Sequence, residues 1–136
     1  MVKIKLIDFG YMDMPKRQHE NDAGADCFAQ VGCVIPPHTT VKIPLGFGLV
    51  LPDGYAAYVF PRSGMAAKGI VAELPPIDSG YRGQIHAIVS NLTDKEYIVE
   101  AGDRVGQLVI TPIAIADFIT EDISQRGDGA FGSTGK

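Results

Sequence analysis

The chain holds 136 residues, 46% of them apolar and 21% charged, with a formal net charge of −4 at pH 7. That length suits one domain with a core of its own, and the acidic balance excludes broad electrostatic binding to nucleic acid, which needs a basic face. Two cysteines, Cys27 and Cys33, cannot build a four-ligand zinc site, and His19, His38 and His86 are scattered without ligand spacing; both thiols are expected to be reduced and buried. No apolar run reaches membrane-spanning length. The first residues pass straight into Val-Lys-Ile-Lys-Leu-Ile without a signal-peptide pattern, so a cytoplasmic setting is expected, or the host cytoplasm for a phage-encoded chain.

Val2, Ile4 and Leu6, alternating with Lys3 and Lys5, predict a half-buried strand. Residues 10–21 carry Pro15 and many charges and predict a loop. A turn from Asp22 leads into a strand through Phe28, and Pro36-Pro37-His38 predicts a turn. The β-branched, apolar stretch from Thr39 to Leu51, broken by Gly46 and Gly48, reads as two short strands. Pro52-Asp53-Gly54 is a strong turn signal, followed by a strand from Tyr55 to Pro61. Residues 63–68 predict the only helix, a short one with Ser63 as its N-cap.

The apolar stretch 69–74 ends at Pro75-Pro76. From Tyr81 to Asn91 the alternation resumes, with Ile85, Ala87 and Val89 on one face and Gln84, His86 and Ile88 on the other. A turn at 92–95, a strand at 96–99, a turn at 101–103 and a long strand at 105–115 complete the pattern; residues 117–125 mix apolar and acidic side chains. About ten short strands spaced roughly eight to twelve residues apart predict an all-β fold, a jelly-roll-like barrel or sandwich. The lack of alternating helices excludes a Rossmann fold. The last residues, from Arg126 to Lys136, contain four glycines and one aromatic. They cannot bury enough surface to offset glycine's ordering entropy. A β domain over 1–125 and a mobile arm over 126–136 are therefore expected, the arm ordering on an anionic, flat ligand.

Four stretches can carry chemistry. Pro61-Arg62-Ser63-Gly64 sits where a strand breaks into the short helix; its hydroxyl, free amides and guanidinium suit an anion, or simply cap the helix. Ile77-Asp78-Ser79-Gly80-Tyr81-Arg82-Gly83 places a lone carboxylate in a turn, where it can hold a water as general base, while Tyr81 can lie flat on a sugar. The same Asp-Ser-Gly is also ordinary turn chemistry. Gly102-Asp103-Arg104-Val105-Gly106-Gln107 opens a strand, with Gln107 able to donate to a phosphate and Arg104 to pair with a carboxylate. In the tail, Arg126, Ser133, Thr134 and the glycine amides can wrap phosphate oxygens, and Phe131 can stack on a base. The tail is not a P-loop: Ala130 stands where the first glycine belongs, and no Ser or Thr follows the lysine.

With Ala23-Gly24-Ala25-Asp26 ahead of them, these stretches resemble, in order, the five motifs of the trimeric dUTP pyrophosphatase (dUTPase) family. The resemblance spans residue 23 to the C-terminus, and five ordered motifs are far more specific than one. It implies a jelly-roll homotrimer with three sites at subunit interfaces, hydrolysing dUTP to dUMP and pyrophosphate. Asp78 would activate the attacking water and Tyr81 would pack on the deoxyribose. Arg62, Ser63, Gly64, Ile77 and Gln107 would bind the substrate. Arg126, Gly132, Ser133 and Thr134 would close over it, with Phe131 covering uracil. Mg2+ would sit on the triphosphate, touched by Asp26 through water. Two departures, Ala25 for an aromatic and Cys27 for a leucine, read as packing changes. A third is chemical: the stretch from Gly69 to Pro76 is about three residues shorter than the family's base-reading hairpin and lacks its asparagine, which predicts looser discrimination of dUTP from dTTP and dCTP. Two alternatives are a dCTP deaminase, whose catalytic glutamate has no counterpart in Gln84 to Asn91, and a nucleotide-binding or interaction module of the same fold without turnover.

Overall fold

A computed structural model of the chain describes residues 1–121. Ten strands and one helix are present among them: β1 (Lys5–Asp8), β2 (Ala25–Phe28), β3 (Cys33–Ile35), β4 (Thr40–Pro44), β5 (Phe47–Val50), β6 (Tyr55–Phe60), α1 (Ser63–Ala67), β7 (Ile70–Ala72), β8 (His86–Asn91), β9 (Tyr97–Val99) and β10 (Arg104–Pro112). They form four small antiparallel sheets, β1–β5, β2–β10–β6, β3–β9 and β4–β8–β7. None closes into a barrel.

Every sheet turns a face to one core. Leu49 of β5, Cys27 of β2, Val59 of β6, Ile35 of β3, Val99 of β9, Ile43 of β4 and Val89 of β8 all belong to a single buried cluster. The alternation predicted for β8 holds: Ala87 and Val89 are buried while His86 and Ile88 are half-exposed. The strand is shorter than its pattern because the backbone of Ile85 bonds Leu45 and Phe47, across the β4–β5 corner, rather than continuing the ladder.

The other differences have similar causes. β1 begins at Lys5, not Val2, because β5, its one partner among the described residues, is four residues long. β3 carries no detectable period in three residues and went unpredicted; it is secured by pairing with β9 and by the fully buried Ile35. Arg62, not Ser63, is the N-cap of α1, and no side chain caps the helix. β10 stops at Pro112, opposite Tyr55, the first residue of β6, although the apolar pattern runs on. Beyond it Ile115, Phe118 and Ile119 are 79%, 94% and 72% exposed. The boundary expected at 125/126, and the arm beyond it, lie outside the described residues. Among the described residues no helix is long and apolar enough to cross a membrane.

Candidate active site

The sheet β2–β10–β6 assembles the first cluster. Gln107 lies mid-sheet, opposite Asp26 of β2 on one side and Phe60 of β6 on the other. Its Nε2 donates to the Pro61 carbonyl at 3.1 Å, which ties β10 to the strand end that delivers Arg62 and Ser63. Gly24 explains the glycine beside it: a Cβ there would lie 2.5 Å from the Gln107 Oε1 and 2.9 Å from its Cβ. Asp26 is buried, and its carboxylate accepts from Gln18 at 2.8 Å and pairs with Arg104 at 3.4 Å. The Arg104 pairing was legible in the sequence; the Gln18 contact, from a loop brought in by the Lys16–Asp26 bridge, was not.

Arg62 and Ser63 open α1, whose first amides have no partner within the helix. No side chain within 4 Å would meet a Cβ placed on Gly64. The chain's own packing therefore does not explain that glycine.

Asp78 and Tyr81 form a second cluster. Ile77 exchanges two backbone hydrogen bonds with Ala57 of β6, at 2.8 and 3.1 Å. This bridge pins the loop against the free edge of β6. The pairing is antiparallel, so the chain reaches Asp78 running away from Pro61. From Ala56 to Phe60 the strand path alone is roughly 13 Å, and Arg62 lies further on. One chain thus keeps Asp78 and Ile77 apart from Arg62, Ser63, Gly64 and Gln107.

Asp78 is exposed, and its carboxylate has no hydrogen-bond or ion-pair partner among the described residues. The turn around it is held instead by its neighbours: the Tyr81 amide donates to the Asp78 carbonyl at 3.1 Å, and Arg82 donates to the Ser79 carbonyl at 2.5 Å. Tyr81, 46% exposed, lays its ring over Gly83, where a Cβ would come within 2.6 Å of the ring. Its hydroxyl donates to the Gln84 carbonyl at 3.0 Å. Asp78, Tyr81 and Ile77 border a groove of about 220 Å³ completed by Pro75, Pro76, Gln84, His86 and Lys42. Lys42 comes from β4, far away in sequence, and nothing in the chain's local pattern pointed to it.

Among the described residues no three His, Cys, Asp or Glu side chains are arranged to hold a metal ion, and Arg104 already faces the Asp26 carboxylate. A hard cation such as Mg2+ would therefore take most of its oxygen ligands from elsewhere, as it does when phosphates supply them. The tail residues expected at the site, Arg126, Phe131, Gly132, Ser133 and Thr134, lie outside the described residues.

Among the described residues, four antiparallel sheets around one core, with a single helical turn and two polar clusters at opposite ends of β6, define a jelly-roll domain. The family model described as dUTPase matches residues 10–135, and the chain belongs to the dUTPase family. It is 41% identical over 130 residues, 90% of the chain, to the deoxyuridine 5'-triphosphate nucleotidohydrolase of Leifsonia xyli subsp. xyli, of which it covers 85%. To the protein of the same name from Clostridium tetani it is 40% identical over 141 residues, covering 99% of the chain and 97% of that protein. Among solved structures it matches the dUTPase of Staphylococcus bacteriophage 80alpha, in a variant with dUpNHpp, at a TM-score of 0.84 and 27% identity over the whole of both chains. It matches the dUTPase of S. aureus phage phi11 at a TM-score of 0.83 and 25% identity, over 91% of this chain and all of that one.

Proposed function

We propose that the protein hydrolyses dUTP to dUMP and pyrophosphate, at sites shared between the subunits of a homotrimer. The observation that carries the mechanism is the free carboxylate of Asp78 beside Tyr81 in an open groove. Asp78 accepts a proton from a water as its oxygen attacks the α-phosphorus; the bond from that phosphorus to the bridging oxygen breaks, and pyrophosphate leaves. Tyr81 packs against the deoxyribose, and a ring pressed on C2′ leaves no room for a hydroxyl. Ile77 borders the nucleoside in the groove, while its amide and carbonyl hold the loop to Ala57. Arg62, Ser63, Gly64 and Gln107 hold the phosphates: a guanidinium and free amides suit anions, and a glycine with no internal packing role leaves space for close approach. Mg2+ on the triphosphate, held to the protein by Asp26 through water, would supply neutralisation of the phosphate charge.

The separation of Asp78 from Arg62 and Gln107 within one chain supports a site completed by a second copy. The exposed apolar run Ile115, Phe118 and Ile119 supports assembly, because such side chains gain by burial. Residues Arg126, Gly132, Ser133 and Thr134 close over the phosphates and Phe131 over the base. Asp78→Asn should lower pyrophosphate release from dUTP by about a thousandfold, within the range of general-base contributions, while leaving nucleotide affinity largely intact. Near-normal turnover in that variant would remove Asp78 from its role. Cutting the chain after Gln125 should leave a folded assembly with little activity, and a truncated protein that works normally would discard the lid.

A further inference from the structure

Asp26 is held by a residue that belongs to none of the five motifs. Its side chain is 12% exposed, and its two oxygens are used unequally. Oδ2 accepts from the Gln18 Nε2 at 2.8 Å and from the Arg104 guanidinium at 3.4 Å. Oδ1 has no hydrogen-bond partner among the described residues. A single donor would let the carboxylate turn about its Cβ–Cγ bond. Two donors, one from a loop and one from β10, converge on the same oxygen and hold the group in one orientation, with Oδ1 left as the acceptor.

The loop that delivers Gln18 is fixed on both sides of it. Before it, Lys16 and Asp26 exchange two backbone hydrogen bonds, at 2.7 and 3.0 Å. After it, Asp22 closes a turn. The Asp22 carboxylate accepts from the His19 amide at 2.8 Å and lies 3.0 Å from the His19 Nδ1. The Asp22 amide donates to the His19 carbonyl at 3.1 Å, and the Asp22 carbonyl accepts from the Arg17 Nε at 2.9 Å. Gln18 thus reaches Asp26 from a backbone with little freedom. The chemistry of the donor matters as well. An amide is neutral, so it orients the carboxylate without adding the charge that a lysine or a second arginine would. Asp26 therefore keeps more of its attraction for a cation.

We propose that Gln18 is a positioning residue: by holding Oδ2 together with Arg104, it leaves Oδ1 to accept from the water through which Asp26 meets Mg2+. Partners of this kind orient the groups that face a metal ion. The inference rests on the reading of Asp26 as the residue that touches Mg2+ through water, and adds to it a side chain from outside the motifs.

The test measures, by calorimetry on the full-length protein, the affinity for the analogue dUpNHpp in Mg2+ and again in EDTA. The ratio of the two affinities is the contribution of the metal, and binding of Mg2+ to the free analogue cancels between variants. Gln18 is exposed and in a loop, so Gln18→Ala spares the core. Partners of direct metal ligands are worth about 10–100-fold in metal affinity. Asp26 acts through water, so Gln18→Ala should lower the affinity about three- to tenfold in Mg2+ and leave it unchanged in EDTA. A residue that only anchors the loop would change both affinities alike or neither. Because Gln18 acts through Asp26, Gln18→Ala added to Asp26→Asn should cost nothing further. An equal loss in Mg2+ and EDTA, no loss in either, or losses that simply add in the double variant overturn the proposal. If Asp26→Asn lowers the ratio and Gln18→Ala does not, Gln18 alone is defeated. If Asp26→Asn leaves the ratio at the wild-type value, the metal reading of Asp26 is defeated, and the role of Gln18 with it.

Discussion

Burial pushes the Cys27 thiol up to about 12 from an ordinary value of 9.0, with the neighbouring Asp26 charge adding to it against a lowering backbone hydrogen bond to Leu108. Its folded value is raised, so its contribution to stability is complete below pH 9 and is lost as pH climbs toward 12. In that window the unfolded thiol is ionised while the folded one keeps its proton, and stability falls with a limiting slope of about 1.4 kcal/mol per pH unit. A near-isosteric variant separates this effect from every other change that pH brings. Urea unfolding of the wild type and Cys27→Val at pH 8, 9 and 10 should show the steeper decline in the wild type; parallel declines would mean that the thiol is not held protonated. The expectation of buried thiols holds for Cys27, which is 1% exposed, and only in part for Cys33, which is half-buried in β3.

Among the elements, β8 shows why some strands could be read in advance and others could not. Its period-two pattern survives because one face meets the core, and a slip of one residue would place His86 and Ile88 there instead. β3 has too few residues to show a period, and β1 and β10 are bounded by the lengths of their partners, which no local pattern reports. The end of β8 is set by Asn91, fully buried, whose Nδ2 donates to the carbonyls of Ile35 at 3.0 Å and Lys95 at 2.7 Å. Its Oδ1 accepts from the amide of Thr93 at 2.9 Å and the hydroxyl at 2.7 Å. One side chain thus joins β8, β3 and the turn before β9, a role that its place at the end of an alternating run did not reveal. Asn91→Leu keeps the branched shape but leaves the Ile35 carbonyl and the Thr93 amide without these partners. At roughly 1–3 kcal/mol for each buried group left unsatisfied, a destabilisation of about 2–6 kcal/mol is expected. A fall in the urea midpoint at unchanged slope would show it, and a loss below 0.5 kcal/mol would mean that water replaces the side chain.

At the scale of the whole molecule, the order of the motifs was legible and their distances were not. Pairing decides distance: Gln107 reaches the Pro61 carbonyl, next to Arg62, because β10 pairs with β6, and Ile77 is held at the far part of the same strand by its bridge to Ala57. Sequence separation misleads here, since Arg62 and Asp78 are closer along the chain than Arg62 and Gln107. If each site takes its carboxylate from one subunit and its phosphate-binding residues from another, two inactive variants should rescue each other. Asp78→Asn and Arg62→Ala, each inactive alone, would be unfolded together and refolded as a mixture. Mixed trimers then contain interfaces at which an intact Asp78 faces an intact Arg62, and a fraction of wild-type pyrophosphate release should return. Sedimentation of each variant must first show the wild-type mass, so that the failure of either alone is chemical rather than structural. Phe118→Glu provides the converse: a charge on a side chain now 94% exposed costs a lone chain little but opposes burial against a neighbour. That variant should sediment as single chains of 14.5 kDa and lose turnover with assembly. A monomeric Phe118→Glu that remains active, or trimeric mixtures that recover nothing, would place the complete site within one chain and end the shared-site reading.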